Sequence, residues 1–225
     1  MILHVYPTAA ADGPLNMATD EFLLEKAQQG QASFRWYSWE PATLSLGYFQ
    51  PHAERMLNPQ WCDVPWVRRS TGGGAIWHEE EITYALALPA DILGKQTPAS
   101  WHDALHLRMV GALRDAGIAA TLYQGIRPKR FELDYLCFTV PQPGDVLVSG
   151  TKIIGGAQRF KHGALLQHGS IRQPYGQILT QSWLPFLVEQ MGWQLQWVDW
   201  TDPDRVAIQA LAEQKYRQVG WNEKR

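Results

Sequence analysis

The chain has only two cysteines, Cys62 and Cys137, among 225 residues. That is too few for a disulfide framework and points to a reducing compartment, the cytoplasm. No Cys-x-x-Cys is present, and His78-Glu79-Glu80-Glu81 lacks the second histidine of a zinc helix, so no metal is expected. No run approaches the ~18 consecutive apolar residues of a membrane span. The segment Met1 to Pro7 has no basic region followed by a long apolar stretch, which argues against a signal peptide. One sign of charge does not prevail: 20 Lys and Arg face 22 Asp and Glu, a net of −2. A global basic field for nucleic acid or an anionic membrane is therefore excluded. Internal repeats and low-complexity tracts are also missing.

What is present is a globular composition. Hydrophobic residues make up 45% and charged residues 19%, which excludes a disordered chain. The length favours one large domain. Eleven Trp and 12% aromatics suit either apolar walls around a hydrophobic ligand or an ordinary bulky core.

Hydrophobic spacing predicts a helix over Leu15 to Gln29, and another opened by a capping box at Ser100 to Asp103 and ended by Gly117. In the second, Trp101, Leu105, Met109, Ala112 and Ala116 share a face. Strands are predicted over 33–37 and 43–48, joined by a Pro-containing turn, and over 64–69, 82–88, 119–123 and 164–167. A hairpin is predicted with arms 145–148 and 151–154 around Ser149-Gly150. The stretch 124–136, basic at Arg127, Lys129 and Arg130, reads as a loop. Helices follow near 181–191 and 203–218. Strands and helices interleave without strict alternation, which indicates an α+β fold with a mixed β-sheet packed by helices.

Four segments could carry chemistry. Arg68-Arg69-Ser70-Thr71-Gly72-Gly73-Gly74, with His78 four residues on, is either a flexible turn or a loop whose bare amides hold an acyl carbonyl or a phosphate. It is neither a P-loop nor a dinucleotide fingerprint. In Gly150 to Arg159, Lys152 either points to solvent or brings its ammonium into a pocket, with Gly155 and Gly156 letting a ligand approach. Cys137 is either a small buried hydrophobe or a nucleophile ahead of the Lys152 hairpin, whereas Cys62 keeps the buried reading. Gln167-His168-Gly169-Ser170 lacks the Gly-x-Ser-x-Gly elbow of a hydrolase.

Together these segments resemble the lipoate-attachment branch of the biotin/lipoate protein ligase superfamily. The resemblance runs through Asn16 to Glu21 in the first helix, an early hairpin at Pro41 to Gln50, Arg68-Arg69-x-x-Gly72-Gly73-Gly74-x-x-x-His78, and Gly150-Thr151-Lys152-Ile153-x-Gly155-Gly156-Ala157-Gln158 followed by Gln167-His168-Gly169-Ser170. Cys137-Phe138-x-x-Pro141 and the ending Trp221 to Arg225 resemble the branch's cysteine-dependent octanoyltransferases. Departures are Glu79 for the usual Asp, Gly156 where Ser is common, and Pro143-Gly144 in place of an aromatic-rich segment.

The resemblance implies a class II synthetase-related catalytic domain spanning 1–225, without a separate C-terminal accessory domain. It implies Cys137 as nucleophile and Lys152 as its partner. Arg69, Gly72, Gly73, Gly74, His78, Gly155, Gly156, Ala157, Gln158, His168 and Gly169 would bind substrate. The implied reaction moves octanoate from acyl carrier protein, through a Cys137 thioester, to a lysine of a lipoyl domain such as glycine-cleavage H protein. It would need no cofactor and no ATP, and the protein would act as a monomer. The alternatives are an ATP-dependent lipoate ligase, an amidotransferase taking octanoate from H protein, and a lipoyl-domain binding module without catalysis.

Overall fold

A computed structural model of the chain describes residues 1–94, 97–126 and 135–225. Its elements, in order, are β1 (Ile2–Ala11), α1 (Gly13–Gln28), β2 (Ala32–Trp39), β3 (Thr43–Leu46), β4 (Trp66–Arg68), β5 (Ile76–His78), β6 (Ile82–Leu88), a short α2 (Ala90–Leu93) and α3 (Pro98–Asp115). Then come β7 (Ala120–Leu122), β8 (Val146–Val148), β9 (Thr151–Lys161), β10 (Ala164–Ile171), α4 (Tyr175–Met191), β11 (Gln194–Trp197), α5 (Asp202–Leu211) and α6 (Val219–Asn222).

Eight strands form one mixed sheet in the order β11-β1-β2-β6-β10-β9-β8-β7, and β4-β3-β5 form a second, small sheet. The large sheet is buried on both faces, and strand alternation assigns each face its own layer. Phe34 and Trp36 of β2, with Tyr84, Leu86 and Leu88 of β6, pack with α3 and α4. On the other face Tyr37, Ala85, Ala87 and Leu166 meet Met17, Ala18, Leu23 and Leu24 of α1. The small alanines let α1 lie close to the strands.

The expected α+β architecture is therefore found, with several corrections. The expected hairpin at Pro41 to Gln50 is not one: that segment holds the single strand β3, which pairs with β4 and β5 in the small sheet, while the preceding β2 belongs to the large one. The cap of α3 is Thr97, whose side chain accepts from Ser100 N–H, and not Ser100. Ala116 is the exposed C-cap, outside the buried face. β9 runs on through Gly155 and Gly156 to Lys161, and β10 extends over the whole Gln167 to Ser170 motif. β1 and β11 carry no strand prediction, yet they pair with each other in parallel at the sheet's edge. Cys62 is not a buried hydrophobe but partly exposed. The predicted basic loop at Arg127, Lys129 and Arg130 lies outside the described residues.

An aromatic cluster holds α4 on the sheet. Trp183 is fully buried, with ring centroids 5.4 Å from Phe34, 5.7 Å from Trp36 and 6.1 Å from Tyr84. Replacing it with alanine should lower unfolding stability by about 3–5 kcal/mol. The check is a urea titration, in which the midpoint should fall while the slope stays constant.

Candidate active site

The site assembles around Asp20. Helix α1 starts at Asp12, whose carboxylate caps Leu15 N–H at 2.9 Å, and this phasing turns Asn16 and Asp20 onto the sheet. Asp20 Oδ1 accepts from Arg35 Nη2 at 2.6 Å and Nε at 3.1 Å. Its Oδ2 accepts from Tyr37 OH at 2.8 Å and pairs with His168 Nδ1 at 2.7 Å. His168 Nε2 meets Thr71 Oγ1 at 2.7 Å. One carboxylate thus ties α1, β2 and β10 to the glycine loop. Burial raises the Asp20 pKa, but the Arg35 charge and the His168 contact outweigh it and hold the carboxyl below its usual range.

Arg69 shapes that loop from inside. Its Nη1 donates to Ser45 O at 2.8 Å and Ser45 Oγ at 2.6 Å. Its Nη2 donates to Gly72 O at 3.1 Å and Gly74 O at 2.9 Å. Burial pushes the guanidinium down to about 10, with Cys137 opposing, so it stays charged at neutral pH. It has no carboxylate partner among the described residues. A desolvated cation of this kind favours negative charge nearby. Arg68 turns away instead, its Nε held by Asn222 O and its Nη1 by the carbonyls of Gly47, Tyr48 and Gln50.

Main-chain pairing sets the place of Cys137. Its N–H donates to Ala75 O at 2.7 Å, and Ala75 N–H donates to Tyr135 O at 3.0 Å. A Cβ on Gly74 would lie 3.2 Å from Cys137 N, so this glycine admits the Tyr135 to Cys137 segment. Lys152, only 3% exposed, points inward and resolves the two readings of its direction. Its Nζ donates to Asp145 Oδ2 at 2.7 Å and Cys137 O at 2.9 Å, and stands 3.6 Å from Cys137 Sγ. Three partners match the three N–H bonds of an ammonium.

Sequence reading misses Asp145. The available signal is an aspartate facing a lysine across the Ser149-Gly150 turn, in the β8–β9 register Leu147 to Lys152. Burial raises the Asp145 pKa, and Lys152 opposes it. Asp145 Oδ2 also accepts from Gln142 N–H at 2.7 Å. The adjacent Gly144 O bonds to His106 Nδ1 at 2.6 Å, and His106 Nε2 meets Tyr84 OH at 2.8 Å. Burial, with His102 adding to it, drives the His106 pKa well below its usual value, so this ring is a neutral link.

Most of the glycines make room for the protein itself. A Cβ on Gly155 would meet Lys152 Cε at 2.6 Å, one on Gly156 would meet His106 Nε2 at 3.0 Å, and one on Gly169 would meet Gly155 O at 2.4 Å. The Gly156 departure is therefore explained by His106. Gly72 differs: its nearest neighbour on that side is Phe49 at 3.9 Å, which leaves its face open to a ligand.

Ten of the thirteen expected residues line one pocket: Arg69, Gly72, Gly73, His78, Cys137, Gly155, Gly156, Ala157, His168 and Gly169. Its empty space of about 390 Å³ includes the open mouth. Met17, Tyr37, Trp39 and Ile76 add apolar wall; none of these was expected at the site. Lys152 and Gln158 lie on the adjoining cleft, which shares Cys137, Gly72 and Gly73. Gly74 lines a neighbouring groove that shares Gly73 with both. His78 is stacked on Trp39 at 3.8 Å, with Nε2 on Ser45 Oγ at 2.6 Å and Nδ1 bonded to Glu81. The Gln158 amide donates to Gln167 Oε1 at 2.8 Å. Both are engaged by the protein.

The geometry sets a thiol beside a buried ammonium, at the wall of an apolar pocket that Arg69 also lines, on a helix-covered mixed sheet, an arrangement that can hold a nucleophile. Solved structures share this architecture. A putative lipoate protein ligase from T. acidophilum is 19% identical, with a TM-score of 0.81 over 100% of both chains. A lipoate-protein ligase A bound with ATP is 18% identical, with a TM-score of 0.78 over 99% of both. The lipoyl protein ligase A/B catalytic domain model matches residues 12–172, and the chain belongs to that family, in the lipoate-attachment branch. Among its relatives are octanoyltransferase LipM proteins. That of Clostridioides difficile is 36% identical, covering 71% of this chain and 61% of its own length. That of Brevibacillus brevis is 33% identical, covering 73% and 63%. The matched region thus spans about three-fifths of these relatives.

The Asp20 network makes a pH prediction. A carboxyl held below its ordinary value of 3.8 contributes stability that is in place above that pH and is lost as pH falls through the lower folded value. Asp20→Asn should cost about 3–5 kcal/mol at pH 7, because Arg35 is left buried without its counter-charge. Urea midpoints measured from pH 7 down to pH 2 should show the gap from wild type narrowing below pH 4.

Proposed function

We propose that the protein transfers octanoate from acyl carrier protein to a specific lysine of a lipoyl domain, such as glycine-cleavage H protein, through a thioester on Cys137. The observation that carries this reading is the Lys152 ammonium, buried and 3.6 Å from Cys137 Sγ, beside an apolar pocket. The LipM relatives support it, since their name states octanoyl transfer.

In the first half, the Cys137 sulfur attacks the donor's carbonyl carbon. A new C–S bond forms, the donor's C–S bond breaks, and the carrier leaves as a thiol carrying the proton lost from Cys137. Lys152 and Arg69 supply positive charge where sulfur and the carbonyl oxygen become negative. In the second half, the acceptor lysine's amine attacks the same carbon. A C–N bond forms, the Cys137 sulfur leaves, and the proton shed by nitrogen returns the thiol. Thioester exchange is nearly neutral and amide formation is downhill, so the reaction draws on no ATP. An eight-carbon chain offers about 0.8 kcal/mol per buried methylene, which suits the Met17, Tyr37 and Trp39 wall. On this reading residues 1–225 are one catalytic domain acting as a monomer in the cytoplasm, and Gly72 and Gly73 supply the backbone that meets the acyl group.

Cys137→Ser should lose octanoyl transfer while keeping the wild-type unfolding midpoint, and Cys62→Ser should retain most activity. Lys152→Ala and Lys152→Arg should each lose at least about 100-fold, the loss expected when a reacting group is misplaced by about 1 Å. The assay is intact mass after mixing with octanoyl-carrier protein without ATP. A Cys137→Ser protein as active as wild type would exclude the thioester.

The ligase alternative separates cleanly. Purified protein with ATP, free lipoate and a lipoyl domain should give no lipoylated product, and efficient modification with AMP release would establish ligation instead.

A further inference from the structure

Away from the Cys137 pocket, positive charge crowds the surface around Tyr48 and Trp221. Lys224 Nζ stands 3.2 Å from the Trp221 ring centroid and 3.7 Å from that of Tyr48. The Arg225 guanidinium lies 5.5 Å from the Tyr48 centroid and 5.7 Å from that of Phe49. Arg159 approaches Tyr48 at 5.9 Å, and Lys215 approaches Trp221 at 4.0 Å. Beneath them Arg68 is fully buried, with Nη2 lacking any acceptor among the described residues.

These cations repel one another. Burial, then the charges of Arg68, Lys215, Arg225 and Arg159, push the Lys224 ammonium down to about 8. The counter-charge is spoken for: Glu21 is taken by Lys215 and by Tyr216 OH. The Arg225 main-chain oxygen is held by His52 N and Nδ1. No carboxylate among the described residues pairs with Arg159, Lys224 or Arg225. Aromatic faces offset part of the repulsion, but a bound anion would offset more.

The place of the cluster gives that anion a role. A single groove has Phe49, Gln50, Gly73, Gly74, Leu136 and Arg225 on its walls. It therefore leads from Arg225 to Leu136, the residue next to Cys137, and among the described residues Glu54 is the one acidic side chain lining it. An extended arm with an anionic group at one end and, on the transfer reading, a thioester at the other would span Lys224, Arg225 and Cys137, and a phosphopantetheine thioester has that build.

We infer that Lys224 and Arg225, between the Tyr48, Phe49 and Trp221 rings, bind the phosphate of the acyl donor's prosthetic arm. The inference rests on the transfer reading and names the donor as a phosphopantetheine thioester. Lysine and arginine are the usual hydrogen-bond donors to phosphate, and those bonds are charge-assisted.

The test compares octanoyl-4′-phosphopantetheine with octanoyl-pantetheine, which differ only in the phosphate. The rate of the octanoyl adduct on Cys137, read by intact mass, should favour the phosphorylated donor by about tenfold or more in wild type, the ratio that ~1.4 kcal/mol supplies. In the Lys224→Gln/Arg225→Gln protein that preference should fall towards one. Equal rates in wild type, or a preference that survives the double substitution, would overturn the site. If neither donor acylates Cys137, the transfer reading fails and the site is judged by calorimetry alone. 4′-Phosphopantetheine should still bind where pantetheine does not, and equal binding of the two, or none, overturns it. ATP is the other source of the same chemistry; ATP that displaces 4′-phosphopantetheine while binding more tightly assigns the cations to a nucleotide and overturns the donor-arm assignment.

Discussion

Asp20 is a carboxylate buried between α1 and the sheet, and four donors from three side chains converge on its two oxygens. Two of those side chains sit on β2 and one on β10, and His168 passes the constraint to Thr71. The arrangement balances charge where charge is costly: Arg35 is buried only because Asp20 is beside it, and Asp20 only because Arg35 is. Helix α1, the sheet's centre and the start of the glycine loop are held to one another through this carboxylate. The loop in turn carries the backbone against which Arg69 and Cys137 are placed.

Around Cys137 the governing quantity is room. Lys152 occupies volume that any side chain at position 155 would fill. The backbone of Cys137 fits only against a glycine at position 74, and the carbonyl of Gly73 passes so close to Gly47 that a Cβ there would lie 1.9 Å from it. Asp145 holds the lysine, and the chain His106–Tyr84–Gln167–Gln158 braces the strands behind it. The result is one buried ammonium 3.6 Å from the sulfur and a second buried cation, Arg69, on the wall of the same pocket, where water screens their charge less than at the surface.

Some of this was legible from residues alone. Period-two alternation in Ile82 to Leu88 and the helical spacing of Trp101, Leu105, Met109 and Ala112 located elements correctly, because one-dimensional spacing there coincides with which face is buried. Other elements gave no such signal. β1 mixes Pro7 with a run of alanines, and its pairing with β2 is interrupted between Tyr6 and Ala9, the irregularity a proline imposes on a ladder. β11 is four residues long and outermost. The Gly155-Gly156 pair looks like a turn, yet it is strand because Ser170 and Gly169 lie opposite it in β10.

The sequence by itself determined which chemical groups were available: a cysteine ahead of a lysine hairpin, a triple glycine behind two arginines, and histidines in two motifs. Those are local facts, written in residue type and spacing. It did not determine where Lys152 points, that Arg68 and Arg69 turn opposite ways, or that Gln158 and His78 are bound to the protein's own groups. Nor could it show Asp145 against the lysine, or Lys224 and Arg225 beside Tyr48, 176 residues and more away along the chain. Tertiary structure decided these, because direction and partnership depend on which strands pair and which volumes are already filled, and both are set by residues far apart in the chain.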